Sequence, residues 1–201
     1  MASQSSQKMG RPREFDEDAA VDAAMRVFWE KGYEGASLDD LTAGMGINRS
    51  SLYSTFGDKE QLFQKVMTRY AVGPMGYFRE ALEKKTAREV VAAILNGSVD
   101  FLADPTHPSG CLSLQGGLAC GTGMESVKQS LISWRGAVAA SLEKRLKQAR
   151  KEGDLPRHVD PASLARYVAI LMSGLGVQSA NGASKREMAG AVDLAIQSLP
   201  L

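Results

Sequence analysis

The chain has 201 residues, 44% of them hydrophobic, and its charges nearly cancel to a net charge of +1. This length and apolar fraction allow one medium domain or two small ones with a sizeable core. No run approaches the roughly 18 consecutive apolar residues of a membrane helix, and the first residues lack the apolar segment of a secretory signal, so we expect a cytoplasmic protein without a membrane partner.

The N-terminus is basic although the whole chain is nearly neutral. Residues 1–13 contain Lys8, Arg11 and Arg13 and no acid, and they are rich in Ser, Gln and Gly, which predicts a flexible basic arm. Its Gly-Arg-Pro tripeptide resembles the core of an AT-hook, in which arginines lie in a narrow minor groove of DNA. A solvated basic tail is the alternative interpretation.

Apolar residues recur at helical spacing along the chain and β-type alternation is absent, which predicts an all-α fold of about nine helices. The first helix spans about Asp16 to Lys31, with Gly32 placed to end it. Ser37 and Asp40 have the spacing of a capping box for a second, short helix at 38–45. A tight turn at residues 46–47 then leads to a third short helix at about 48–56.

Two short helices joined by a glycine-containing turn follow the helix-turn-helix plan. The apolar positions that would fix the angle between them are Leu41, Met45, Ile47, Leu52 and Phe56. From Leu41 to Gly57 there is no acid, as a helix entering the major groove requires, and Arg49 can pair with a guanine edge or a phosphate. The predicted DNA-binding side chains of this helix are Asn48, Arg49, Ser50, Ser51, Tyr53 and Ser54. A small helical hairpin inside a larger bundle is the alternative.

The rest of the chain repeats the pattern of a capping residue followed by an apolar stripe. A fourth helix begins after Asp58 and is interrupted at Gly73-Pro74, and another begins after Thr86. Residues 106–123 are rich in Gly, Pro and Ser, with one possible short helix. Three longer helices follow, over residues 125–152, from Pro161 onward, and after residue 184 to the end.

The stretch from Phe15 to Phe63, AAMRVFWEKGYEGASLDDLTAGMGINRSSLYSTFGDKEQLF from residue 23 on, resembles the N-terminal domain of the tetracycline-repressor (TetR/AcrR) family. The resemblance implies that the third helix is the recognition helix and that Tyr53 and Lys59 contact phosphate. It also implies that Thr42 helps to position the turn. Thr55 stands where the family often has a histidine, which puts one phosphate contact in doubt. The expected domains are the arm, residues 1–13; the DNA-binding domain, residues 14–60; and an effector-binding and dimerisation domain, residues 61–201.

The last two helices resemble those that pair with their copies as a four-helix bundle in this family. Both helices carry broad apolar faces, which would be exposed to solvent in an isolated helix pair, and such patches usually mark association sites. Packing within a single chain is the alternative. The predicted dimer interface consists of Leu164, Tyr167, Val168, Leu171, Leu175, Val192, Ala195 and Ile196.

The resemblance also implies an effector cavity among the fourth to eighth helices. The candidate lining residues, each of which could equally be plain core, are Phe78, Phe101, Cys111, Leu114, Gln115, Trp134 and Met172. Ser113 or Gln115 would supply a polar anchor. Since no charged group is evident inside, we expect an uncharged or weakly polar effector.

The segment Gly110-Cys111-Leu112 suggests another means of sensing. It is similar to a segment of relatives that detect electrophiles or oxidants by cysteine modification, and a helix N-terminus favours the reactive thiolate. A small buried hydrophobe is the alternative. Cys111 and Cys120 are nine residues apart, so on one continuous helix they would face opposite sides and cannot form a disulfide.

No catalytic or cofactor-binding motif is present, since the chain lacks a nucleophile elbow, a phosphate loop and an HExxH pair. His107 and His158 are expected in solvated loops, so we expect no metal, no cofactor and no enzyme activity. The sequence therefore predicts a homodimeric regulator, more commonly a repressor, that a small-molecule effector releases from a palindromic operator. An enzyme with a DNA-like head and a module that binds protein through the same helices are the alternatives.

Overall fold

The computed structural model describes residues 15–118 and 124–201, and in these residues it has ten helices and no strand. Arg11, Arg13 and Cys120 lie outside the described residues. The all-α fold is confirmed, with one helix more than the expected nine because Gly76–Leu82 is separate from the helix before it. The helices are α1 (Glu17–Gly35), α2 (Leu38–Met45), α3 (Arg49–Phe56), α4 (Lys59–Val72), α5 (Gly76–Leu82), α6 (Ala87–Leu102), α7 (Leu112–Leu118), α8 (Glu125–Glu152), α9 (Pro161–Ala180) and α10 (Lys185–Ser198).

The helix starts follow from short polar side chains that satisfy the free N–H groups of the first turn. Three helices, α2, α6 and α10, begin with a complete capping box, in which a hydroxyl and a carboxylate each accept a backbone N–H. Asp58 and Asp160 cap α4 and α9 with a carboxylate alone. The capping signals in the sequence therefore locate these starts correctly.

Gly32 interrupts α1 where the sequence predicts its end. The residue has φ of 71° and ψ of 171°, which breaks the regular helix before a final turn over residues 33–35. This break places the Tyr33 ring parallel to the ring of Phe28, with 5.8 Å between the ring centroids, and edge-on to Phe63 of α4. The end of α1 thus contributes to the core that it shares with α4.

The fourth helix belongs to the packing of both halves. It packs against α1, where Phe63 meets the Phe28 ring edge-on with 5.0 Å between centroids, and the Arg69 guanidinium donates two hydrogen bonds of 2.8 Å to the Asp22 carboxylate. We call residues 17–56, which form α1 to α3, the reading head. The predicted domain boundary between residues 60 and 61 falls inside α4. The reading head also contacts the second half through α1, where the Trp29 indole N–H donates to the carbonyl of Gly110 and the Arg26 guanidinium donates to that of Thr106.

The second half is a helical domain built around α6, α8, α9 and α10. The 28-residue α8 packs along α9, and α6 packs against both α9 and α10. Ser179 of α9 donates to the carbonyl of Leu102 and accepts from the N–H of Gly110, which ties the α6–α7 loop to α9. In the described parts of the chain, no helix combines the length and the apolarity needed to cross a membrane.

Candidate DNA interface, cavity and dimer face

The turn between α2 and α3 has the geometry of a helix-turn-helix. Gly46 ends α2 in the left-handed conformation, with φ of 66°, and the N–H of Ile47 donates to the carbonyl of Thr42. The apolar positions of both helices face inward, and Leu41 and Leu52 have no exposed surface. The sequence correctly identifies these residues as the ones that fix the two helices against the core.

Four of the predicted DNA-binding side chains of α3 are exposed together. Arg49, Ser50, Tyr53 and Ser54 project from the outer side of the helix, and 51% of Tyr53 is accessible to solvent. We call these four residues the DNA-reading face. The helix itself carries no acid. Its exposed side consists of two serine hydroxyls, the tyrosine ring and the arginine guanidinium group.

Three other residues of the predicted DNA interface, Asn48, Ser51 and Thr42, make contacts within the protein. The Asn48 side chain accepts the N–H of Ser51 as the N-cap of α3, and Ser51 is half-buried. The Thr42 hydroxyl donates to the carbonyl of Leu38 within α2. Their sequence signal is ambiguous because the same short polar side chains cap helices and contact phosphates.

Lys59 is also engaged within the protein. Its Nζ lies 4.6 Å from the centroid of the Tyr33 ring, a cation–π contact at the start of α4. Partial burial lowers the pKa of Lys59, and the carboxylates of Glu34 and Asp40 oppose that change. To contact a phosphate, as the resemblance implies, this ammonium group has to leave the ring or to bridge from it.

An acid lies beside the DNA-reading face, although the segment from Leu41 to Gly57 contains none. Asp39 of α2 accepts from Nε and Nη2 of Arg49, at 3.2 and 2.8 Å. The sequence separates the two residues by ten positions, so only the fixed crossing of α2 and α3 brings them together.

A cavity lies between α6, α7, α8 and α9 and reaches the segment that follows α4. Its volume is about 70 Å³, within about 530 Å³ of space between atoms that is partly open to solvent. Its walls are mainly apolar, with a few hydroxyl groups and one charged side chain, a composition typical of small-molecule sites. The lining residues are Met75, Tyr77, Ser98, Phe101, Leu102, Cys111, Ser113, Leu114, Trp134, Arg135, Val138, Ala169, Met172 and Ser173.

Five of the seven residues predicted for the cavity line it, and two do not. Phe78 faces a separate surface groove next to α8. Gln115 points away, and its side-chain amide donates to the carbonyl of Ser109 over 2.8 Å. Both corrections have one cause: helical spacing identifies the inward side of a helix, but it does not show which inward residues meet a void.

The expectation that no charged group faces the cavity is wrong. Arg135 lines it, and its Nη1 donates to the carbonyl of Ser113. The signal was present in the sequence, since Arg135 follows Trp134 on the inner side of α8, but a single charge beside an apolar stripe is usually solvated. Here its guanidinium faces a mainly apolar wall.

Cys111 lies at the start of α7, and its sulfur is part of a small polar network. The Tyr70 hydroxyl is 3.3 Å from Sγ and the Ser113 hydroxyl is 3.1 Å from it. Burial is the main reason that the pKa values of Tyr70 and Tyr77 lie above the usual tyrosine value. Both phenols are protonated at neutral pH, and the Tyr77 hydroxyl donates to that of Ser98, whose own proton goes to the carbonyl of Ile94.

Only one of the two histidines matches the expectation of solvated loop residues. The His107 ring is half-buried and stacks on Trp29, with 4.5 Å between centroids, whereas His158 is exposed. In residues 15–118 and 124–201, no three His, Cys, Asp or Glu residues are grouped as metal ligands.

The predicted dimer interface requires the largest correction. Five of its eight residues, Leu164, Val168, Leu175, Val192 and Ala195, are buried within the single chain, and Leu171 and Ile196 are half-buried. The alternative of packing within the chain is therefore right for them, because the most apolar stripe packs against α6 and α8. Tyr167 alone is exposed.

A different side of α9 carries the exposed apolar groups. Tyr167, Ile170, Gly174 and Val177 follow one another at intervals of three, four and three residues, so they share one side of the helix, which we call the α9 face. Ile170 is 61% exposed, and Leu194 on α10 is 70% exposed. The α9 face is rotated by about 100°, one residue step, from the stripe predicted from the sequence.

A helix-turn-helix head that continues through α4 into a helical domain with a cavity is the architecture of one-component DNA-binding regulators. The chain belongs to the tetR family of bacterial regulatory proteins, whose family model matches residues 20–66. A second model, described as the tetracyclin repressor-like C-terminal domain, matches residues 87–194. Members of this family are DNA-binding transcriptional regulators rather than enzymes, as expected from the sequence.

Individual relatives agree with this assignment. The chain is 30% identical over 182 residues to the HTH-type transcriptional repressor ComR of Escherichia coli K12, covering 89% of this chain and 86% of ComR. It is 36% identical to a cysteine mutant of the TetR-family regulator CifR in complex with 26-base-pair operator DNA, with a TM-score of 0.91 over 94% of this chain and 100% of that one. A TetR regulator from Rhodococcus sp. RHA1 is 38% identical, with a TM-score of 0.62 over 90% of this chain and 97% of that one.

Proposed function

We propose that this regulator is a homodimeric repressor that binds an inverted-repeat operator through two copies of α3 and releases it when a small molecule enters the cavity. Repression is supported by ComR, which is named a repressor. Operator binding is supported by the DNA-reading face and by CifR, which carries operator DNA in its complex. Entry of α3 into the major groove would place Arg49 and Tyr53 against bases and phosphates.

The α9 face supports the dimer. A side of α9 with three large apolar residues and a glycine is costly to leave in water, and the glycine permits close approach of a second helix. A two-fold axis at this face would present two reading heads together. Their recognition helices must be about 34 Å apart to enter successive major grooves on one side of the duplex.

The single observation that carries the effector proposal is the position of the cavity relative to α4. Met75 and Tyr77, which line it, follow α4 directly, and α4 is fixed to α1 by the ion pair of Arg69 with Asp22. A ligand that pushes on this segment would turn the reading head. Linkage then requires the operator to weaken effector binding by the same factor.

The cavity lining suggests the chemistry of the effector. The walls favour an apolar body, and the N–H groups of Arg135 that are not used in its hydrogen bond to Ser113 favour a hydrogen-bond acceptor or an anionic group on it. This proposal replaces the uncharged effector expected from the sequence. A thermal-shift comparison of benzoate with benzyl alcohol tests it, since a cavity that prefers an acceptor anion will be stabilised more by the benzoate.

Filling the cavity tests whether effectors act there. Ala169 lines it, and Ala169→Phe places a ring into the space. We expect this variant to retain operator binding and to lose the stabilisation by benzoate. Ala140→Phe on the exposed side of α8 is the matched control and should behave as the wild type. If benzoate stabilises the wild type, Ala169→Phe and Ala140→Phe equally, it does not bind in this cavity.

Covalent modification of Cys111 is a second mode of release, because its thiol lines the same cavity. An electrophile such as iodoacetamide that enters would form a carbon–sulfur bond as its carbon–iodine bond breaks, so that iodide leaves and the thiol gives up its proton. Iodoacetamide should then weaken operator binding of the wild type but not of Cys111→Ser. If alkylation confirmed by mass spectrometry leaves operator binding intact, the cysteine is only a wall residue.

Selection of bound fragments from random duplexes tests the DNA-binding part directly. An inverted repeat in the selected fragments would support both the operator and the dimer symmetry. Sedimentation of the purified chain at micromolar concentration supplies the independent test of the dimer. A chain that stays monomeric there, or that retains duplexes equally well after replacement of Arg49 and Tyr53, contradicts the proposal.

A further inference from the structure

Arg49 occupies an unusual place for a cation. It is the first residue of α3, where the helix dipole has its positive end and disfavours positive charge. Asp39, in the first turn of α2, supplies the opposite charge. The capping box of α2 holds that turn in place, so the Asp39 carboxylate is attached to a fixed support.

The hydrogen bonds use one edge of the guanidinium group. Nε and Nη2 of Arg49 both donate to Oδ1 of Asp39, at 3.2 and 2.8 Å. A guanidinium has five N–H groups, so the end formed by Nη1 and the second N–H of Nη2 remains for another acceptor. That pair of parallel N–H groups matches the O6 and N7 atoms of guanine.

Stability does not explain the pair. The two side chains are 59% and 78% exposed, and ion pairs exposed to this degree contribute little to folding. An acid on a surface that meets phosphates also weakens binding to DNA in general. Asp39 also lies in the first turn of α2, where the helix dipole favours a carboxylate, and this carboxylate accepts both hydrogen bonds from Arg49.

The geometry points to Asp39 as a specificity-determining residue, which holds Arg49 edge-on so that its free end reads guanine rather than a phosphate. This inference rests on the proposed DNA-reading face. In the absence of Asp39, Arg49 is free to follow the nearest phosphate, which carries no sequence information. When Asp39 is present, it holds the Arg49 side chain in one orientation in the free protein, so the N–H donors are aligned before DNA binds.

The experiment uses the full-length protein and a pool of duplexes randomised over about 30 base pairs, enough for two half-sites one helical turn apart. Wild type, Asp39→Asn, Arg49→Lys and Glu80→Gln are selected in parallel, and each is then titrated against the wild-type consensus and its single-base variants. Glu80→Gln removes the same charge from an exposed site on α5 and is the matched control.

For the wild type, we expect one guanine in each half-site whose replacement weakens binding by about 5- to 150-fold, the range of a good bidentate contact. In Asp39→Asn the ratio of the affinity for the guanine-containing site to the affinity for the substituted site should fall towards one. Binding to unrelated duplexes should become tighter. The slope of log affinity against log salt should steepen by about two per dimer as each freed Arg49 neutralises a phosphate. Arg49→Lys should lose the same guanine preference, and Glu80→Gln should match the wild type.

Three results would overturn the inference, and each differs from failure of the proposed function. An unchanged guanine ratio in Asp39→Asn means that Asp39 does not direct Arg49. Loss of a cytosine preference in Asp39→Asn alone means that the carboxylate itself accepts from a base. Equal effects of the Asp39 and Glu80 variants mean that only net charge matters. If Asp39→Asn does not fold, Asp39→Ser provides the same test, whereas a wild type that selects no sequence refutes operator binding itself.

Discussion

Single polar side chains hold the start of α2, and Asp40 makes most of these contacts. Its carboxylate accepts from the ammonium group of Lys31 at 2.5 Å and from both the N–H and the hydroxyl of Ser37. These contacts hold the pKa of Asp40 well below the usual aspartate value, with the Lys31 hydrogen bond as the largest cause. A carboxylate with a lowered pKa stabilises the folded state above its unfolded pKa and loses that contribution as the pH falls.

The first prediction concerns this carboxylate. Asp40→Asn should lower the stability of the protein at pH 7, because the ion pair with Lys31 and half of the capping box are lost. The difference between variant and wild type should begin to shrink near the unfolded pKa of about 4 and continue to do so at lower pH. Urea titrations at a series of pH values measure it, and a difference independent of pH would contradict the assignment.

The second prediction concerns the left-handed glycine in the turn. A Cβ at Gly46 would meet nothing within 4 Å, so Gly46→Ala tests the backbone conformation alone. We expect a loss of about 1–2 kcal/mol, the cost of the left-handed region for a residue with a side chain. Gly136→Ala, inside α8 with equally open surroundings, should instead gain up to about 1 kcal/mol from helix propensity. Denaturant titrations of both proteins would show this difference in sign.

At the scale of elements, α5 and α6 approach each other so closely that only a glycine fits between them. A Cβ on Gly97 would lie 2.5 Å from Cδ2 of Tyr77, whose hydroxyl is 3.1 Å from that of Ser98. A ring fixed at both its edge and its hydroxyl cannot move aside without disturbing the cavity wall. The helix pair thus determines one side of the cavity.

The third prediction follows from this contact. Gly97→Ala should destabilise the protein by about 1–3 kcal/mol, as overpacked sites do, although alanine favours the helix. It should also alter the stabilisation by benzoate, since Tyr77 lines the cavity. Gly136→Ala is again the control, and a Gly97→Ala protein as stable as Gly136→Ala would show that α5 moves freely.

How much of these elements can be read from the sequence depends on whether the signal is local. Caps such as Ser37 with Asp40 and the break at Gly73-Pro74 act within a few residues, and the structure agrees with them. The approach of Asp39 to Arg49, and the entry of Arg135 into the cavity, depend on how helices cross. Helical spacing alone does not contain that information.

At the scale of the whole molecule, the proposed dimer face shows the same limit. The sequence stripe containing Val168 is the more apolar one, but it is buried within the chain, and the α9 face is the apolar side of this helix that stays exposed. A chain needs its most apolar side for its own core before it can associate. For this reason the residues that mediate association are expected to be the less regular apolar ones, such as Ile170 and Leu194.

The fourth prediction tests that assignment of faces. Ile170→Glu should convert the dimer to a folded monomer, measured by sedimentation and circular dichroism, because it places two charges at the two-fold contact. Operator affinity should fall by about 10²- to 10⁴-fold, the gain that linking two half-site contacts provides. Ile132→Glu, at an exposed isoleucine of α8, should remain dimeric, and Val168→Glu should unfold the chain. If Ile132→Glu is a monomer, or if Val168→Glu is a folded monomer, the dimer interface does not lie on the α9 face.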